Sequence, residues 1–244
     1  MADRDRVCRQ GVLAFGDSIT HGGGTVQRDV VQESWALWVA RALGLPYSGF
    51  AVDGARLAEV VEEQLPAARA QCARPQWPFD LGLLYAGVND VRRPDWDPEA
   101  FARLYERALA AIGERCDGLL VATLPLGLGR PRAPDAVGEA NAVIERIASA
   151  YGALVADLRD FGGRSHVLAD QIHPTAFGQI DIADRALRVL EASGHRVLAR
   201  PRELIRPAEA TPLRTLGSDT RYAARRVRVG TRAAAIRLLR RGNR

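Results

Sequence analysis

Five short apolar runs separated by stretches of helical spacing constrain this chain more than any other feature. Gly11–Phe15 is the first run, Tyr47–Val52 the second and Leu81–Ala86 the third. Leu119–Leu124 and Ala153–Ala156 follow. Continuous apolar runs of this length fit strands buried on both faces, the signature of a parallel sheet. Between them the spacing predicts helices over Glu33–Leu43, Arg56–Arg69, Pro98–Arg115 and about Asp135–Tyr151, with a last helix over Pro174–Ala192. Gly44 suits a C-cap, Asp135 an N-cap, and Pro174 a first helical turn. Strand–helix alternation repeated five times means an α/β fold with helices on both faces of one parallel sheet. In such sheets, sites form at the carboxyl ends of the strands.

Polar residues with chemical potential cluster after those ends. Ser18 follows the first run in Gly16-Asp17-Ser18-Ile19-Thr20, and a hydroxyl there needs a base to act as a nucleophile. Asp170 and His173 stand three apart in Asp170-Gln171-Ile172-His173. One turn can bring the carboxylate to one imidazole nitrogen and leave the other to take a serine proton. Asn89, in Gly87-Val88-Asn89-Asp90, follows the third run and can donate a hydrogen bond into the same cleft. Gly54 lacks a Cβ, so its N–H can approach a substrate oxygen. With the Ser18 N–H these make three donors for a developing oxyanion. Each residue alone also has a bland reading. Ser18 caps a helix, Asp170 and His173 make a surface turn, Gly54 makes an ordinary turn and Asn89 an Asx turn. Asp17 and Asp90 read as acceptors that fix loops, and His21 as a loop or cleft residue.

Taken together, the four blocks resemble the SGNH hydrolases, also called the GDSL esterase/lipase family. GDSIT at 16–20, Gly54, GVND at 87–90 and DQIH at 170–173 stand in the family's order. The resemblance implies a flavodoxin-like three-layer α/β/α sandwich with a five-stranded parallel sheet. It implies Ser18 as nucleophile, His173 as general base and Asp170 as its orienting partner. It also implies an oxyanion hole from the Ser18 and Gly54 amides and the Asn89 side chain. The expected activity is that of a serine esterase or acylhydrolase on a small-molecule acyl ester or thioester, through an acyl-enzyme. Acyl transfer and carbohydrate deacetylation use the same site and are the alternatives. Asp53 stands where the family usually has Asn or Ser, and Gly49 is close by. A binding module with a degenerate site would not need to keep all three triad residues.

Charge divides the chain. All 34 basic residues are Arg, which excludes Schiff-base chemistry and a phosphate-loop lysine. Residues 199–244 carry 13 Arg against three acidic residues, a balance of +10. Residues 1–198 carry 21 Arg against 26 acidic residues, a balance of −5. We therefore expect a hydrolase domain over 1–198 and an Arg-rich, partly helical extension over 199–244. The segment 220–241 has apolar residues at helical spacing flanked by Arg. It fits packing on the acidic body or a second subunit, a disordered arm, or peripheral contact with an anionic membrane. Nucleic acid binding is disfavoured. Three scattered cysteines, no clustered His or Cys and no apolar N-terminal stretch lead us to expect no disulfide framework, no metal, no cofactor and a cytoplasmic location.

Overall fold

The computed structural model describes residues 10–22, 27–72, 78–127 and 135–207. The first strand, β1 (Val12–Gly16), is buried along its length. It passes directly into a single helical turn, α1 (Ser18–His21). Next comes α2 (Trp35–Leu43), capped by the Ser34 side chain and closed by Gly44 in the left-handed conformation. The second strand, β2, is short (Tyr47–Gly49). It is followed by α3 (Leu57–Glu59), a π-helical turn (Val60–Gln64) and α4 (Leu65–Gln71). Then come β3 (Phe79–Tyr85), α5 (Pro98–Gly113) and β4 (Cys116–Ala122). The chain continues through α6 (Ala136–Ala150), β5 (Leu154–Ala156) and α7 (Ala176–Ala192). A 3-10 turn follows at Pro201–Leu204.

All five strands are parallel, in the order β2-β1-β3-β4-β5. This is the flavodoxin-like order. Right-handed crossovers account for the layers. The connection from β1 leads outward to β2 through α2, and α7 returns to pack on α2. The other connections run the opposite way, so α3, α5 and α6 pack together on the second face. Order reverses at β1, which opens a crevice between the chains leaving β1, β2 and β3. Leu13, Phe15, Leu81, Leu83, Leu84, Leu120 and Val121 fill the sheet and are almost fully buried. Each such side chain contributes roughly 1.5–3 kcal/mol by leaving water.

Three local expectations change. The second strand stops at Gly49, not Val52: the Phe50 and Val52 amides still reach the Ala14 and Gly16 carbonyls at 2.8 and 3.2 Å, but the Gly16 N–H turns to the Gln64 side chain. Pro174 does not start the last helix. It pairs with Val167 in an isolated bridge, and Thr175 is the N-cap, accepting from the Gly178 N–H at 3.0 Å. Asp135 does not cap α6 with its side chain, since its backbone is already helical (φ −102°, ψ 0°).

Beyond residue 198, the described chain lies on α2 and α7. The Leu198 N–H donates to the Ala42 carbonyl at 2.8 Å, and Pro201 is buried. Arg200 pairs with Glu191, while Arg202 bonds Asp184 at 3.1 Å. Residues 208–244, including the expected helix over 220–241 and its membrane, nucleic-acid and packing readings, lie outside the described residues. Among the described residues no helix is long and apolar enough to cross a membrane.

Candidate active site

Gly16 ends β1 at a place no other residue fits. Its φ is +147°, and an added Cβ would lie 2.2 Å from the Tyr85 carbonyl oxygen of the neighbouring strand. The chain turns there, and Asp17 becomes the N-cap of α1, accepting from the Ile19 N–H at 2.9 Å. Ser18 is therefore not the cap but the first residue of the turn. At that position an amide has no partner within the helix.

Residues 164–175 form the opposite wall. The Leu168 N–H donates to the His173 carbonyl at 2.8 Å, and Gln171 takes a left-handed conformation (φ 62°). This folds the loop around Asp170. Its Oδ1 accepts from the Ile172 and His173 amides at 2.9 and 3.0 Å. Its Oδ2 accepts from His173 Nδ1 at 2.7 Å. An ionised carboxylate only accepts, so Nδ1 carries the proton and Nε2 is left as an acceptor. Ser18 Oγ lies 2.8 Å from that Nε2, although the two residues are 155 apart in sequence.

The remaining predicted residues approach from the other two loops. Gly54 is exposed in a turn with φ +74°, and an added Cβ would meet nothing within 4 Å. Asn89 Nδ2 donates to the Ala55 carbonyl at 2.9 Å, tying the β3 loop to the Gly54 loop and leaving its second N–H available. Asp90 accepts from the Leu57 N–H with both oxygens at 3.2 Å, which pins the start of α3. His21 is exposed, with Nδ1 3.0 Å from the Ala51 carbonyl. His166 stands apart, with Nδ1 3.3 Å from the Gly162 carbonyl.

Burial sets the charges. Desolvation pushes the fully buried Asp17 carboxyl up to about 7, and its Oδ2 has no partner among the described residues. Asp90 is pushed up to about 6 for the same reason. For Asp170, burial also acts upward. The hydrogen bonds from the His173 side chain and the Ile172 and His173 amides outweigh it and hold the carboxyl below its usual range. The hydrogen bond to Asp170 raises His173 above an ordinary imidazole, against the pull of partial burial. Among the described residues no three His, Cys, Asp or Glu side chains group as metal ligands. A cavity of about 430 Å³ lined by Leu43, Leu45, Asp80, Asp117, Gly118, His195 and Arg196 lies at the amino ends of β3 and β4, away from Ser18.

Residues 14–179 match the GDSL-like lipase/acylhydrolase family. The chain belongs to that family. Its members are serine esterases and acylhydrolases, and this protein is an enzyme of that class. Solved structures agree at the level of fold. An acetylxylan esterase from Geobacillus stearothermophilus is 17% identical, with a TM-score of 0.56 over 78% of this chain and 97% of that one. A lipase/acylhydrolase from Enterococcus faecalis is 18% identical, with a TM-score of 0.58 over 83% of this chain and 100% of that one. An α/β hydrolase enzyme from the metagenome of Lake Arreo, Spain, is 21% identical, with a TM-score of 0.57 over 75% and 95%. Among curated proteins none matches the chain.

Three buried glutamines that the sequence reading passed over hold the site in place. Gln64 pairs with the backbone of Gly16. Gln179 accepts from the Trp35 N–H and donates to the Ile19 carbonyl, both at 2.8 Å. Gln32 donates to the Pro174 carbonyl at 2.8 Å, next to His173. A polar carboxamide at a helix position otherwise expected to be apolar was the available signal for Gln64 and Gln179.

Proposed function

We propose that this family member cleaves acyl esters through a Ser18–His173–Asp170 triad and a covalent acyl-enzyme. The hydrogen-bonded chain from Ser18 Oγ to His173 Nε2 (2.8 Å) and from His173 Nδ1 to Asp170 (2.7 Å) carries the reading. Ser18 Oγ attacks the acyl carbonyl carbon while His173 Nε2 takes its proton. Asp170 keeps Nδ1 protonated and stabilises the imidazolium that forms. The carbonyl oxygen becomes an oxyanion, received by the Ser18 and Gly54 amides and the second N–H of Asn89. The imidazolium then protonates the leaving alcohol, which departs and leaves acyl-Ser18. Water, deprotonated by His173, attacks that ester. The returning proton frees Ser18 and the acid product.

His173 acts only when neutral. Because Asp170 raises its pKa, activity falls on acidification from a higher pH than an unpaired histidine would give. Ser18→Ala, with its folding checked by circular dichroism, abolishes hydrolysis of short p-nitrophenyl esters in this reading. Activity like the wild type in that variant overturns it.

A further inference from the structure

We infer that Gln64 is a positioning residue of the esterase site, fixing the nucleophile turn relative to the Gly54 loop. This rests on Ser18 being the nucleophile.

Gln64 is only 2% exposed. It sits in a buried helical stripe with Leu57, Val60, Val61, Leu65 and Ala68, where packing alone calls for an aliphatic side chain. Both ends of its carboxamide engage one residue. The Gly16 N–H donates to Oε1 at 3.1 Å, and Nε2 donates to the Gly16 carbonyl at 2.8 Å.

The ladder explains why Gly16 needs this partner. Along the β1–β2 edge, the Phe50 N–H reaches the Ala14 carbonyl at 2.8 Å and the Val52 N–H reaches the Gly16 carbonyl at 3.2 Å. The same parallel alternation assigns the Gly16 N–H to the Phe50 carbonyl. The second strand has ended at Gly49, and the Gly16 N–H turns to Gln64 Oε1 instead. The Gly16 carbonyl thus takes two donors, one from Gln64 and one from Val52. Ser18 hangs two residues beyond Gly16, and Gly54 two residues beyond Val52. One side chain clamps the junction from which both depend.

The helix is built to deliver that side chain. Its start is pinned by Asp90 at Leu57, and the Leu65 N–H bonds the Val60 carbonyl across a π turn. The wider turn changes the direction residue 64 faces compared with an uninterrupted α-helix. Such turns recur at functional sites.

Attack needs the Ser18 oxygen near the acyl carbon while the Gly54 N–H is near the acyl oxygen. A relative displacement of about 1 Å lowers the rate on the order of 100-fold. The displacement acts between the nucleophile and the oxyanion donors, so the effect is expected on kcat and not on KM.

The test compares Gln64→Leu and Gln64→Glu with the wild type in the full chain. Active sites are titrated with a fluorophosphonate, so only correctly formed sites are counted even if a variant folds poorly. Gln64→Leu keeps the size and loses both bonds. Its kcat per titrated site is expected to fall roughly 10- to 100-fold, with KM held within about threefold. Gln64→Glu reproduces the carboxamide when protonated, accepting with one oxygen and donating with the other. Once ionised it cannot donate and sets charge against the Gly16 carbonyl. Its kcat is therefore expected to approach the wild type at low pH and to fall as pH rises. That loss comes in addition to any pH dependence shared by the wild type and Gln64→Leu. Asp17 and Asp90, buried carboxyls of the same site, titrate in all three proteins and are controlled by the comparison. Wild-type turnover per titrated site in Gln64→Leu, or turnover in Gln64→Glu no better than that of Gln64→Leu at low pH, overturns the inference. Ser18→Ala run alongside separates the two readings. If it stays active, the nucleophile is wrong. If it is dead while Gln64→Leu is normal, only the positioning role fails.

Discussion

Replacing Asp170 with Asn changes one atom and reverses the hydrogen-bond logic of the whole site. Asp170 Oδ1 already accepts from the Ile172 and His173 amides. An asparagine keeps its oxygen there, because two donors hold it. Its NH₂ then faces His173 Nδ1 at the position where Oδ2 now accepts at 2.7 Å. A donor cannot face a donor, so Nδ1 must give up its proton and Nε2 must carry it. The Nε2–H then points at Ser18 Oγ, 2.8 Å away, and the base that should accept the serine proton is blocked. The expected fall in kcat is on the order of 10⁴-fold. In barrier terms this is about 5.5 kcal/mol. KM should change little, because no substrate contact is removed. A second readout comes from pH. His173 is raised chiefly by its bond to Asp170, so the small residual activity should have its acidic limb at lower pH than the wild type. Steady-state hydrolysis of p-nitrophenyl acetate across pH 5–9 measures both. A loss under about tenfold, with an unmoved acidic limb, would show that Asp170 does not set the His173 tautomer.

Asn89→Ala removes the side-chain donor and its tie to the Ala55 carbonyl, so kcat should fall on the order of 10²–10³-fold in the same assay. A loss below threefold excludes Asn89 from the oxyanion hole. Gly54→Ala adds a methyl that meets nothing within 4 Å, so its penalty is conformational, about 1–2 kcal/mol at φ +74°. Urea unfolding checks this, and an unchanged midpoint means the turn relaxes freely. Asp17 makes stability depend on pH. Its folded pKa of about 7 exceeds the unfolded value of 3.8, so the folded state holds the proton longer and stability from this group is lost as pH rises from about 4 to about 7. The gap corresponds to on the order of 4 kcal/mol. Asp17→Asn keeps the cap acceptor for Ile19 and removes the titration. Its unfolding midpoint should gain on the wild type between pH 4 and pH 8, and parallel curves at both pH values refute the assignment.

Local pattern was enough for the architecture. A buried parallel strand must be apolar on both faces, so Val12–Gly16, Phe79–Tyr85 and Cys116–Ala122 stand out within a few residues of the runs read from sequence. The helix ends were less legible at Pro174 and Asp135. There a bridge to Val167 and a helical backbone at Asp135 override the residues' usual capping habits. The order of the blocks at 16–20, 54, 87–90 and 170–173 was also readable, because loops after parallel strands converge on one edge.

The strand–helix alternation and the residue types available at that edge are written in the order of residues along the chain. Tertiary structure alone decided which of those residues meet. A contact spanning 155 residues, Ser18 to His173, exists only once the sheet has set the separation of β1 from the last loop. The same holds for Gln64, polar in an apolar stripe and explained only by the Gly16 amide, which finds its acceptor in that side chain where β2 has ended. It holds too for the carboxyls of Asp17 and Asp170, identical in sequence terms. Burial raises one, and three hydrogen bonds lower the other. Propensity and hydrophobic period are properties of neighbours along the chain. Hydrogen-bond pairing and desolvation are properties of neighbours in space.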